Sequence, residues 1–149
     1  MPMTDPTRRR FLEMLGASAA SAATAAGCSH DPTASEATGD LAGGNVSAFA
    51  IGTLTVLAGH PVVVARDGDG LYAMSTICTH EQCDMTASGK ITNGGMSCSC
   101  HGSTFDANGN PTGGPARSTV RHFAVELKDG VITVHADTIV APTTRVAVQ

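Results

Sequence analysis

Tryptophan is missing from this sequence, and its 149 residues include one tyrosine and four phenylalanines. A core with so few rings must be filled by small and branched aliphatics, and valine is frequent after position 46. Such residues favour strands over a helical bundle. No long apolar run occurs either. Residues 11–27 are rich in Ala, Leu and Gly, but the stretch is too short and too weakly hydrophobic for a membrane span. Positive charge is also scarce: from Cys28 onward six Lys/Arg stand against eleven Asp/Glu. That balance gives no reason to expect binding to nucleic acid or anionic lipid. There is no internal repeat, and the length suits one domain.

The N-terminus reads as an address. Thr7-Arg8-Arg9-Arg10-Phe11-Leu12 sets adjacent arginines directly before the weakly apolar stretch, whose single charge is Glu13. This is the layout of a signal peptide over residues 1–27, and the paired arginines resemble the twin-arginine export signal. Ala25-Ala26-Gly27-Cys28 then resembles a bacterial lipobox, with Ala25 where Leu is usual. On that reading Cys28 becomes the lipidated first residue of a periplasmic, membrane-anchored chain. The alternative is cleavage near Ala26 and a soluble periplasmic protein. Residues 28–45, polar and rich in Gly, Ser and Thr, suit a flexible tether.

A folded domain is expected over 46–138. Residues 46–57 and 61–66 are rich in β-formers, and Asp67-Gly68-Asp69-Gly70 is a turn signal followed by a further apolar run at 71–77. Residues 120–127 alternate as a half-buried strand does, and Lys128-Asp129-Gly130 turns them into 131–136. Residues 139–149 fit an edge strand or a loose tail. Between the two hairpins, 78–119 is full of Gly, Ser, Asn and Pro, with little room for regular structure. A loop of that length counts against a compact domain unless it carries function. It holds four of the five cysteines and two of the six histidines.

Those residues fall in two clusters, Cys78-Thr79-His80-Glu81-Gln82-Cys83 and Cys98-Ser99-Cys100-His101-Gly102-Ser103. Each offers a Cys and a His at short spacing, as a metal held between two loops requires. A closed zinc site of two Cys and two His would leave Cys83 and Cys100 without a role. A thiol–disulfide oxidoreductase is a second possibility, but Cys98-Ser99-Cys100 lacks the usual spacing and no thioredoxin-like pattern surrounds it. Two structural disulfides would suit an exported protein and make His80 and His101 bystanders. The remaining histidines, His30, His60, His122 and His135, have no ligand spacing and read as surface or strand residues.

The whole string, Cys-Thr-His-x-x-Cys followed by Cys-x-Cys-His-Gly-Ser, resembles the Rieske iron–sulfur subunits of quinol–cytochrome c oxidoreductases. The resemblance covers about residues 46–136. It implies an all-β fold, a Rieske-type antiparallel β-sandwich with a small cluster-binding subdomain inserted at about 75–118. It implies one [2Fe–2S] cluster, with Cys78 and Cys98 on one iron, His80 and His101 on the other, and Cys83 paired with Cys100. Ser103 matches the hydroxyl that hydrogen-bonds a bridging sulfide. Phe105 stands where high-potential members have a Tyr whose hydroxyl points at a ligand sulfur. Gly114 and Pro115, within Gly113-Gly114-Pro115-Ala116, match the loop that shields the cluster. The disulfide needs an oxidising compartment, and the twin-arginine route delivers folded, cluster-loaded protein to one.

Charge explains the ligand set. Two thiolates and two neutral imidazoles bring an oxidised core of about +2 near neutrality, so the potential lies in a range of roughly −150 to +300 mV. With Phe105 in place of the donor, an intermediate value is expected. The function implied is one-electron transfer, without catalysis by this chain alone. Its partners would be a c-type cytochrome or the large subunit of a molybdenum oxidase. A divergent iron–sulfur subunit working with cytochrome b is the alternative. The family has Leu-Gly where this chain has Glu81-Gln82, which weakens the case for docking into a quinol pocket.

Overall fold

The computed structural model describes residues 34–149. Ten strands and a single 3-10 turn, Val46–Ala48, account for the regular structure among them. The strands are β1 (Asp40–Asn45), β2 (Thr53–Val56), β3 (Val62–Arg66), β4 (Leu71–Ser75), β5 (Gly89–Thr92), β6 (Gly95–Cys98), β7 (Thr104–Asp106), β8 (Pro111–Gly113), β9 (His122–Lys128) and β10 (Val131–Val140). Six form one antiparallel sheet in the order β1-β10-β9-β4-β3-β2, and four form a second in the order β5-β6-β7-β8.

The second sheet is an insertion into the first. β4 pairs with β9 through Ala73 with Phe123 and Met74 with His122. The chain therefore leaves the large sheet at Ser75 and returns beside it, where the Ser75 N–H donates to the Arg121 carbonyl at 2.9 Å. Everything between is an excursion laid on one face of the base. β3 and β4 are consequently buried on both faces, which is why Val62, Val63, Val64 and Ala65 read as an unbroken apolar run. Their side chains alternate. Val62, Val64, Leu71 and Ala73 pack with Leu41, Phe123, Ile132 and Val134 in the base core, while Val63, Ala65, Tyr72 and Met74 meet Met85, Met96 and Phe105 of the insertion.

Both predicted hairpins are present. The β9–β10 turn has Asp129 at φ 50° and Gly130 at φ 77°, the pair of positive values that a two-residue hairpin loop requires. The β3–β4 turn is closed by Asp67, whose carboxylate accepts the N–H groups of Asp69 and Gly70.

Four expectations are corrected. The stretch expected to tether the domain up to residue 45 contains β1, with Leu41 in the base core and Asp40 opposite His135 on β10. Local polarity hid this strand, because its stability comes from pairing rather than composition. The 46–57 run is broken by the 3-10 turn, and only 53–56 forms a strand. The 78–119 region, expected to be nearly structureless, holds β5 to β8. Residues past 139 are neither an edge strand nor loose: β10 runs to Val140, and Val146 then bridges Leu71 through two backbone hydrogen bonds of 2.8 and 2.9 Å. The signal segment and Cys28 lie outside the described residues.

Candidate metal centre

Two loops of the insertion share one backbone design. In the first, the Cys78 N–H donates to the Cys83 carbonyl at 2.9 Å and the Gln82 N–H to the Cys78 carbonyl at 2.9 Å. In the second, the Cys98 N–H donates to the Ser103 carbonyl at 2.8 Å and the Gly102 N–H to the Cys98 carbonyl at 3.0 Å. Each loop is thus a closed turn that begins on a cysteine. The first follows β4 and is fastened below by Thr76, whose hydroxyl donates to Asp84 at 2.9 Å. The second joins β6 to β7.

The turns bring four predicted donors to one pole. Cys78 and Cys98 are reduced and buried. Burial pushes the Cys98 thiol up, the Cys100 and His101 N–H groups aimed at its sulfur pull the other way, and the neighbouring Cys78 thiol adds to the rise. The His80 and His101 rings meet edge to face with centroids 4.8 Å apart. His80 Nδ1 is buried without a hydrogen-bond partner. A buried ring nitrogen is seldom left so, and one aimed at a metal would be satisfied by it. Two adjacent buried thiols, which bind as thiolates, and a paired set of imidazoles fit an iron–sulfur cluster with mixed ligation.

Cys83 and Cys100 form a disulfide that ties the loops together, with Cα atoms 6.8 Å apart and a sequence separation of 17. Closing a loop of this size is worth about 3 kcal/mol. A third loop leans on both. Gly114 has φ 77°, and a Cβ there would come within 2.5 Å of the Gly102 carbonyl oxygen and 2.6 Å of Ser103 Cα. Pro115 is half-buried next to it. The Ala116 N–H donates to the buried Ser103 hydroxyl oxygen at 3.1 Å, leaving the Ser103 proton free to donate. The Thr79 hydroxyl donates to the Ser118 carbonyl at 2.7 Å, so the third loop is pinned to the first as well. Phe105, on β7, is buried in the same core as Cys78 and Cys98.

Two features gave no clear signal in the sequence. The Ala34 N–H donates to the Gln82 carbonyl at 3.2 Å, and Glu36 accepts the Ser75 hydroxyl at 2.5 Å while lying 3.8 Å from Arg121. The segment before β1 therefore lies along the first loop. Glu81 lies 3.7 Å from His101 Nε2 across the two loops, a contact between residues 20 apart that spacing could not reveal.

The family model of the Rieske [2Fe-2S] domain matches residues 44–124, just over half of the chain. The chain is 39% identical over 68 residues to the carotenoid phi-ring synthase of Chlorobaculum tepidum, covering 46% of this chain and 10% of that protein. It is 32% identical over 81 residues to the cytochrome b6-f complex iron-sulfur subunit of the same organism, covering 49% of this chain and 39% of that one. The chain thus spans less than half the length of these curated relatives. Among solved structures it is similar to the plasma-membrane Rieske protein of the cyanobacterium Synechocystis, with 26% identity, a TM-score of 0.49, and coverage of 64% of this chain and 99% of that one.

Proposed function

As the chain belongs to the Rieske [2Fe-2S] family, we propose that it is an exported one-electron carrier whose cluster is held by Cys78, Cys98, His80 and His101. One observation carries the reading: the two thiols are buried while His101 stands exposed on the same pole. Buried thiols shelter the sulfur ligands from water. An exposed imidazole gives a partner a short route to the site. When bound, the cluster takes up one electron and gives it back.

The protein's own groups hold and tune that site. Two thiolates with two imidazoles, rather than four thiolates, keep the added electron affordable in charge terms. Ser103, held through the Ala116 N–H, keeps its proton available for a sulfide. The disulfide and the Gly114–Pro115 loop limit rearrangement, so little reorganisation accompanies the change of charge.

Export and partners belong to the same proposal. Support for export comes from the paired arginines, and from a disulfide that needs an oxidising compartment. Five residues separate Cys28 from Ala34; the six steps reach at most about 22 Å. With Ala34 bound to Gln82, a lipid on Cys28 would keep the cluster pole at the membrane surface. The partners proposed are periplasmic or membrane redox proteins, a c-type cytochrome or a molybdenum-oxidase large subunit. A second reading, a divergent subunit working with cytochrome b, is favoured by the likeness to the b6-f subunit and opposed by Glu81-Gln82 at the tip of the first loop.

Low-temperature EPR of the reduced protein tests the core of this reading. The expected result is a rhombic signal at the lowered mean g of mixed Cys/His ligation; an EPR-silent protein containing zinc overturns it. Replacing Arg8 and Arg9 by Lys should trap the chain in the cytoplasm, and copurification from membranes should bring down the redox partner.

A further inference from the structure

We propose that Glu81 tunes this carrier's potential downward, through a carboxylate set against the outer nitrogen of His101. The inference rests on the electron-carrier reading and adds a residue that the family motif does not assign. Glu81 Oε2 lies 3.7 Å from His101 Nε2, with both side chains about half exposed. One donor atom from each of His80, Glu81 and His101 falls within 4.8 Å of the others. The carboxylate is therefore part of the cluster pole, next to the ring proposed to hold an iron.

The fold determines this contact. Glu81 sits two residues before Cys83, and His101 immediately follows Cys100, so the disulfide brackets the pair and holds the two tips opposite each other. Gln82 adds to this. Its φ of 56° and its N–H bond to the Cys78 carbonyl bend the first tip back on itself, and the Ala34 N–H ties its carbonyl down. Among the described residues no lysine or arginine lies within 4.0 Å of Glu81. Among those residues its charge is left without a cationic partner.

Charge then sets the direction of the effect. Reduction delivers one electron from an external donor and neither makes nor breaks a bond, so the site becomes more negative by one charge. A nearby carboxylate opposes that change. At 3.7 Å the carboxylate acts on the ring through its charge rather than through a direct hydrogen bond. An exposed charge of this kind contributes little to folding. Glu81 should therefore move the potential and leave stability alone, which separates tuning from a structural role.

The test is voltammetry of the cluster-loaded protein at neutral pH, in low and in high potassium chloride. It compares wild type with Glu81→Gln, Glu81→Ala and the distant control Glu126→Gln. Both Glu81 variants should show midpoint potentials above wild type, with unchanged EPR g-values and melting temperature. The gap should narrow in high salt, because an exposed charge is screened. Glu126→Gln should match wild type. Equal or lower potentials in the Glu81 variants, with the EPR signal intact, would overturn the inference and leave the carrier reading standing. Cluster loss in both variants but not in wild type would overturn it too, by making Glu81 structural. A wild-type protein without a Rieske signal would overturn the carrier reading itself.

Discussion

Gln82 and Gly102 occupy the same point of two matching turns. Each donates its N–H to the carbonyl of the cysteine four residues earlier, and each has a positive φ, 56° and 78°. This gives a departure visible in the sequence a conformational cost. Where the family has Leu-Gly, the glycine falls on a left-handed position, and this chain places a glutamine there. A side chain in that conformation costs about 1–2 kcal/mol.

The two positions therefore make opposite predictions. Gln82→Gly relieves the strained backbone but gives up the lower chain entropy of glutamine, and should gain about 0.5–1 kcal/mol. Gly102→Ala finds no atom within 4 Å of the new Cβ, so its cost is conformational alone, about 1 kcal/mol. Urea denaturation of the disulfide-intact, cluster-loaded protein checks both. A loss of stability in Gln82→Gly would show that the Gln82 side chain contributes more than its backbone costs.

Gly114 is constrained by contact as well as by conformation. A methyl group there would lie 2.5 Å from the Gly102 oxygen and 2.6 Å from Ser103 Cα, both rigid backbone. The third loop must move away, and the Ala116 N–H must then leave Ser103. Gly114→Ala should cost at least about 2 kcal/mol. Its visible absorbance should bleach faster than wild type under air. An unchanged bleaching rate would mean that the loop does not shield the site.

What the sequence could reveal follows range of interaction. The cysteine and histidine strings and the Asp-Gly turns are local chemistry, and the pole and both hairpins lie where that chemistry puts them. β1 was hidden because Asp40-Leu41-Ala42-Gly43-Gly44-Asn45 has the composition of a linker; only pairing with β10 makes it a strand. Gly43 there suits a close approach, since a Cβ would meet Ile132 Cγ2 at 2.5 Å. The short strands β5 to β8 are held the same way, by the meander that sets Met96 opposite Phe105. Arg145 is a further case. Near the C-terminus it lies 3.8 Å over the Tyr72 ring and binds Asp67 at 2.6 Å, contacts that join residues far apart in the chain.

Phe105 is legible at both levels. The sequence places it where high-potential relatives carry a hydroxyl, and the structure buries it with Cys98 in one core. Phe105→Tyr should raise the midpoint potential by adding a donor near a ligand sulfur, because hydrogen bonds to the sulfurs stabilise the reduced state. Voltammetry gives the answer. A potential unchanged or lowered, with the fold intact, would show that the new hydroxyl finds another partner.

Two histidines away from the cluster pole should give stability opposite slopes with pH. His135 faces Asp40 across the β1–β10 pair, Nδ1 to Oδ1 at 2.6 Å, with Glu126 at 3.5 Å from its other nitrogen. The hydrogen bond to Asp40, with the charges of both carboxylates, raises its pKa. Its contribution is therefore complete below the unfolded value, about 6.5, and is lost as pH climbs through the higher folded value. His122 is the reverse. Burial against the inserted subdomain lowers its pKa, and its ring stays neutral with Nε2 bound to the Asn108 carbonyl at 3.1 Å. Its contribution is complete above about 6.5 and is lost as pH falls through the lower folded value. His135→Gln should therefore flatten the decline of the urea midpoint above neutrality and leave the acid side unchanged. If the variant keeps the wild-type alkaline slope, the β1–β10 ion pair is not its source.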